Sequence, residues 1–370
     1  MTLQQHWPAP TRARPIMLIG AGGVVRDGHL PAYRFQHLKV DGIFDAVPER
    51  AAELAAQFKI RAAYPTLRSA ITEFDTKAVY DVAVPPQQLM EVLEQLPNDS
   101  AVLLQKPLGM SLAEATAIIG LCRQKNLRAA VNFQLRFAPA MLALRDIIRG
   151  GRIGHPLDIE VRLHCETPWK QWPALVGLSR IEIPLHSVHY LDLLRSLFGE
   201  PIGVSASTLA HPAAPGLAST RSTIILDYGQ HVQCTIRTNH HHRWGTKFAC
   251  SELRVEGTLG AAVVRMGVNL AFPHGQPDTL WFVQGDGEAW EEVSLEGSWY
   301  PHGFRGPMCN LQRFVVGEDP GLWTGVDDAW RTMALVEACY APEAHVRAHP
   351  RHGAEAKPES AAAARGQTAV

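Results

Sequence analysis

The chain has 370 residues, of which 46% are hydrophobic and 19% charged, and its formal net charge is −1. That length suggests two domains, and that composition excludes global disorder. The balanced charge leaves no electrostatic footprint for nucleic acid or an anionic membrane surface.

Residues 1–14 read as a flexible lead-in without the apolar core of a signal peptide. No apolar run approaches the length of a membrane span. The six cysteines are scattered, with no CxxC pair, which predicts a reducing compartment with neither a disulfide framework nor a thiolate zinc site. A cytoplasmic protein is expected.

Pro15–Ile19 is a continuous apolar run, the pattern of a buried parallel strand. It leads into Gly20-Ala21-Gly22-Gly23-Val24-Val25, a GxGxx with valine where the dinucleotide fingerprint prefers Gly or Ala. Glycines after a strand let the backbone turn tightly and approach a pyrophosphate, which the next helix N-terminus attracts. Lys39–Phe44 reads as a second strand with Asp45 at its end. An acidic residue is expected there to hold the adenosine ribose hydroxyls. The other reading of Asp45 is a plain strand-end turn residue. As a ribose ligand its charge would repel a 2′-phosphate, which favours NAD over NADP.

Pro48–Phe58 reads as a helix with proline in its first turn, Ala78–Val84 as a strand ending in Pro85-Pro86, and Gln87–Leu96 as a helix. Ala101–Leu104 is a strand, Ser111 to Glu114 a capping box opening a helix to Lys125, and Ala129–Phe133 another strand. Repeated βα units predict a doubly wound parallel sheet, a Rossmann domain over 15–133. Gln105-Lys106-Pro107 falls at its ligand-binding carboxyl edge.

Beyond the helix Ala138–Arg149 the pattern changes. Pro156–His164 alternates as a half-buried strand, and TPWKQW from Thr167 to Trp172 is an aromatic loop. IPLHSVHYLDLLR, Ile183 to Arg195, opens a helix ending at Phe198-Gly199. On it His186, His189 and Asp192 follow at steps of three and share a face. Alternating strands then run from Ile202 to Val283, which predicts an antiparallel sheet flanked by the closing helices Pro307–Val316 and Val326–Tyr340. The fold class is therefore α/β plus α+β: a Rossmann domain followed, over 134–340, by a substrate-binding and oligomerisation domain. Residues 341–370 are expected to be disordered. An apolar open sheet face predicts a homodimer or homotetramer. Asn239-His240-His241-His242 reads as a turn with exposed histidines rather than a metal site.

The order strand–GxGG, strand–Asp, double proline, Lys-Pro, NxQxRF and HYLDLLRxLxGxP resembles the Gfo/Idh/MocA (glucose–fructose oxidoreductase / inositol dehydrogenase) family over roughly Arg14 to Tyr340. The resemblance implies NAD contacts from Gly20, Gly22, Gly23, Val24, Asp45, Arg50, Pro85, Pro86, Gln105 and Lys106. It implies Lys106 beside the reacting oxygen and His189 as acid/base. The family's Glu before the Lys-Pro pair is Gln105 here, and its aspartate four residues before the histidine is Leu185. His186 is then the expected supplement to His189. Asn132, Gln134, Arg136, Trp169, Trp172, His186 and His302, with Trp299, are the expected substrate-facing residues. The implied reaction is hydride transfer between NAD and a hydroxyl of a sugar, sugar derivative or cyclitol. The alternatives are a redox-neutral, NAD-retaining epimerase or eliminase, and a catalytically silent NAD-binding sensor.

Overall fold

Four-residue runs with no solvent-facing position build the first sheet. In Ile16–Ile19 every side chain is fully buried, as a strand covered on both faces requires. A computed structural model describes residues 3–272, 275–285 and 289–341. In it β1 (Ile16–Ile19), β2 (Val40–Phe44), β3 (Ala62–Ala63), β4 (Val79–Val82), β5 (Ala101–Leu104) and β6 (Arg128–Val131) form a six-stranded parallel sheet in the order β3-β2-β1-β4-β5-β6. Its crossovers carry α1 (Leu30–Phe35), α2 (Pro48–Phe58), α3 (Leu67–Phe74), α4 (Leu89–Gln95) and α5 (Leu112–Gln124). The reversal of strand order between β1 and β4 opens the crevice where doubly wound sheets take ligands.

Helix α6 (Pro139–Arg149) leads into β7 (Pro156–His164), and α7 (Val188–Phe198) follows a long loop. Strands β8 (Gly203–Leu209), β9 (Arg221–Asp227), β10 (Gln233–Asn239), β11 (Cys250–Gly257), β12 (Gly260–Arg265), β13 (Thr279–Gln284) and β14 (Glu291–Val293) join β7 in an eight-stranded sheet. Burial now alternates: Ser222, Ile224 and Leu226 of β9 face the core, while Thr223, Ile225 and Asp227 face out. Each such isoleucine or leucine contributes about 2–3 kcal/mol by leaving water. Neighbouring strands run antiparallel except β7 and β10, which are parallel and pair Asn239 with His164. Helices α8 (Arg305–Val315) and α9 (Val326–Ala338) close the described chain.

Two expectations change. Residues 3–14 are not a loose lead-in. Trp7 packs between Phe137 and Trp323 and donates to Asp319 at 2.7 Å, and the Gln4 amide donates to Asp146 at 2.8 Å. The two-residue β3 and the helix α3 stand where the sequence reading placed no element. The expected disorder of the tail from 342 onward lies outside the described residues. No helix among those described is long and apolar enough to cross a membrane.

Candidate active site

The site begins at the glycine turn. Gly20 has φ +108°, and a Cβ there would lie 2.4 Å from the Ala83 carbonyl oxygen. No residue but glycine fits this approach of β1 to β4. Around Gly22 nothing lies within 4 Å of an added Cβ, so this backbone faces open space. Asp45 braces the turn: one carboxylate oxygen accepts from the Ala21 amide at 2.7 Å, the other from the Val47 amide at 2.8 Å. Lone pairs remain on both oxygens for hydroxyl donors. Val25, at the position of the fingerprint's third glycine, is fully buried. The close approach falls instead at Gly28, where an added Cβ would sit 2.9 Å from the Phe304 ring. Arg50 is exposed on the first turn of α2.

From this turn a cleft of about 790 Å³ runs between the two sheets' carboxyl-end loops, lined on one side by Gly23, Val24, Gln105 and Lys106. Gln105 is fixed from behind. Its Oε1 accepts from Asn132 Nδ2 at 2.9 Å, and Asn132 also meets His29, whose Nδ1 pairs with the fully buried Asp81 at 2.7 Å. Lys106 crosses the cleft floor and donates to the Leu185 carbonyl at 2.7 Å. Burial lowers its pKa to about 8, so its ammonium gives up a proton more readily than an ordinary lysine.

Leu185 lies within Ile183–Ser187, a wide π-type turn in which Val188 donates back to Ile183. Such bulges recur at functional sites. Two of the three residues predicted to share a face do so. His186 and His189 reach the cleft. Asp192 does not: its two oxygens take a bidentate pair from Arg136 at 2.6 Å each, fully enclosed. Burial, then the charge of Lys106, holds His189 well below the usual imidazole range. Its ring stands edge-on to Trp299 at 5.4 Å, and its buried Nδ1 has no hydrogen-bond partner among the described residues.

The two halves match models of one family: residues 15–133 match its oxidoreductase, NAD-binding Rossmann fold, and residues 141–263 its GFO/IDH/MocA C-terminal domain. An inositol 2-dehydrogenase from Mycolicibacterium vanbaalenii is 30% identical over 342 residues, 88% of this chain and 90% of that protein. The chain belongs to the Gfo/Idh/MocA family. A D-apiose dehydrogenase from Paraburkholderia graminis is 25% identical across 87% of this chain and 86% of its own. An oxidoreductase from Agrobacterium radiobacter, solved with NAD+, L-tartaric acid and magnesium, shares the fold. Its TM-score is 0.74 at 21% identity, over 89% of this chain and 96% of that one. This Gfo/Idh/MocA chain is thus an oxidoreductase with an NAD-binding Rossmann domain.

Among the expected substrate-facing residues, Gln134, Trp172, His186 and Trp299 line the cleft. Four do not. Asn132 is fully buried behind Gln105, as one link in the network to Asp81. Arg136 is spent on Asp192 and Asp328, the latter at 2.6 Å. Trp169 stands behind the wall, packed on His186 and His240. His302 turns away to stack on Phe35 at 4.9 Å.

The largest correction is His240. Expected in an exposed turn, it is 2% exposed and lines the cleft beside His186, ring centroids 4.3 Å apart. The parallel pairing of β7 with β10 explains this. Both strands end at one edge, so 165–167 zips to 239–242 through backbone bonds such as Thr167 N to His240 O at 3.1 Å. Sequence reasoning missed Thr167 and His240 because no local signal marks a parallel pair among antiparallel strands. No cluster of three or more His, Cys, Asp or Glu suited to a metal occurs among the described residues.

Proposed function

We propose that this chain is an NAD-dependent dehydrogenase of a secondary or anomeric hydroxyl on a sugar, sugar derivative or cyclitol. The observation that carries this is one cleft holding the Gly23–Val24 turn, the Lys106 ammonium and an uncharged His189. The open backbone at Gly22 and the braced Asp45 carboxylate fit a dinucleotide without a 2′-phosphate. NAD, when bound, supplies the hydride acceptor. His189, kept neutral by burial and by Lys106, takes the hydroxyl proton. Lys106 keeps two N–H groups beyond the one given to Leu185, and these hydrogen-bond the oxygen as negative charge grows on it. Trp172 and Trp299 offer flat apolar faces to the ligand's C–H surface. In this reading residues 15–133 hold the cofactor, and 134–340 supply the substrate wall and the contacts between copies.

The test is a panel of sugars and cyclitols against NAD and NADP, followed by absorbance of the reduced cofactor. Net NADH formation with at least one polyol is expected. Substrate conversion without reduced cofactor would replace the dehydrogenase by a redox-neutral enzyme. A preference for NADP would overturn the role given to Asp45.

A further inference from the structure

The cleft wall opposite the glycine turn holds a second set of proton-handling groups. Glu182, just before the π-type turn, is fully buried. Its carboxylate accepts from the Ser187 hydroxyl at 2.8 Å and lies 3.2 Å from His240 Nε2. The other ring nitrogen, His240 Nδ1, lies 2.9 Å from Thr167 Oγ1. Thr167 lines the cleft. A buried carboxylate, an imidazole and a hydroxyl therefore stand in a single hydrogen-bonded line that ends at the substrate space.

We propose that Glu182, His240 and Thr167 form a proton relay that gives this cleft a second acid, separate from His189, acting on an oxygen of the substrate. This rests on the dehydrogenase reading for the identity of the substrate but not for the state of the relay. The protonation pattern follows from the partners. With His240 cationic, Nε2–H donates to Glu182 and Nδ1–H to Thr167, so the Thr167 hydroxyl proton is free to be donated to a ligand oxygen. When that proton moves to the substrate oxygen, Thr167 Oγ1 takes the Nδ1 proton. His240 is then neutral, with Nε2–H still on Glu182. One proton leaves the imidazole, one reaches the substrate, and the hydroxyl is regenerated. The ligand must present an acceptor there: a carbonyl or a carboxylate.

The surroundings support the charged form. Burial works against it, but the nearby Cys165 sulfur and Glu182 carboxylate outweigh burial and raise His240 to about 9. Cys165 faces it from the end of β7, and His186 and Glu182 from the turn before α7. Tyr190, Cys339 and Tyr340 face Glu182 from α7 and the end of α9. His186, pressed on His240, stays neutral through burial and the charges of His240 and Lys106. The two walls thus pair a neutral base, His189, with a cationic acid.

The test uses the full chain in two arms. In the first, imidazole ¹⁵N shifts are titrated in wild type and in Glu182→Gln, with His240→Asn to assign the signal. His240 is expected to stay cationic past pH 8 in wild type and to titrate at least tenfold more easily without Glu182. A neutral His240 at pH 7 overturns the relay. In the second, Thr167→Val and Thr167→Ser are compared on a sugar acid, whose carboxylate presents the acceptor the relay requires. Valine is expected to lower kcat/KM about 10²-fold and to remove the part of the alkaline fall centred near pH 9, leaving that of Lys106. Serine is expected to restore both. An unchanged pH profile in Thr167→Val overturns the relay. If no polyol is oxidised, the dehydrogenase reading fails alone, and the titration arm still decides the relay.

Discussion

Lys106→Met is expected to make the protein more stable at neutral pH while sharply lowering turnover. Lys106 carries its charge in an enclosed site where burial brings its pKa from 10.5 to about 8. The folded state therefore holds the ammonium less willingly than the unfolded chain does. At about 1.4 kcal/mol per pH unit, charging it there costs about 3 kcal/mol. Water in the open cleft screens part of this, leaving about 2 kcal/mol. Losing the bond to the Leu185 carbonyl gives back about 1 kcal/mol, so methionine nets about 1–2 kcal/mol of stability.

The sign fixes the pH window. The penalty is fully present below pH 8, where folded and unfolded chains both bind the proton. It fades as pH rises from 8 to 10.5, because the folded state releases its proton first. Urea unfolding of wild type and Lys106→Met at pH 7 and about pH 9.5 reads this directly. The advantage of methionine is expected to shrink by more than half at the higher pH. A variant no more stable than wild type at pH 7, or an advantage independent of pH, refutes the account. Such a gain in stability with loss of activity is the pattern of a residue kept for chemistry.

Other variants separate chemistry from scaffold. His189→Gln is expected to lower kcat/KM by 10²–10⁴-fold with unchanged NAD binding by calorimetry; retained turnover would remove His189 from the reaction. Asp45→Asn is expected to weaken NAD binding about tenfold and to narrow discrimination against NADP, read from the two dissociation constants. Gly20→Ala forces a Cβ to 2.4 Å from the Ala83 carbonyl in left-handed backbone, so a loss of about 2 kcal/mol or more is expected by urea unfolding. Asp192→Asn leaves Arg136 with Asp328 alone; a loss of about 2–3 kcal/mol with near-normal kcat for the folded protein is expected, and a selective loss of kcat would return Arg136 to the substrate site.

The parts of the fold carried by local pattern were legible. Apolar runs placed the strands of the parallel sheet within a few residues, and helix Pro48–Phe58 falls where its leading proline predicts. The pair Ala62–Ala63 was invisible because two alanines carry no strand periodicity. Its neighbour α3 had a usable signal: Thr66 caps it by accepting from the Ser69 amide at 3.1 Å. In the site, Lys106, His186 and His189 were legible from motif and order, and all three line one cleft. Residues whose partners lie far away in sequence were not. Arg136 looked free because nothing near it showed Asp192 and Asp328 closing on it from α7 and α9. Steps of three placed His186 and His189 on one face of the cleft, but Asp192, one turn further along α7, is drawn into its buried pair with Arg136.

The wide turn at Ile183–Ser187 bears on how His189 is held. A base benefits when a partner fixes its tautomer and steadies its charged form, yet among the described residues His189 Nδ1 is buried without one. The carboxylate that could have served it sits instead at Glu182, on the far side of the turn, and is bonded to His240. Leu185 supplies only a backbone carbonyl, and that oxygen is taken by Lys106. Orientation of His189 therefore comes from packing against Trp299, and its basicity is set by burial and by the neighbouring ammonium. Both influences lower its proton affinity, which keeps it neutral and ready to accept a proton while Lys106 is still charged. On this argument the dehydrogenation rate should fall as pH rises past about 8, where Lys106 loses the charge that steadies the reacting oxygen. Lys106→Met should remove that fall from whatever activity remains. A rate that is flat from pH 7 to 9 would take the Lys106 charge out of the reaction.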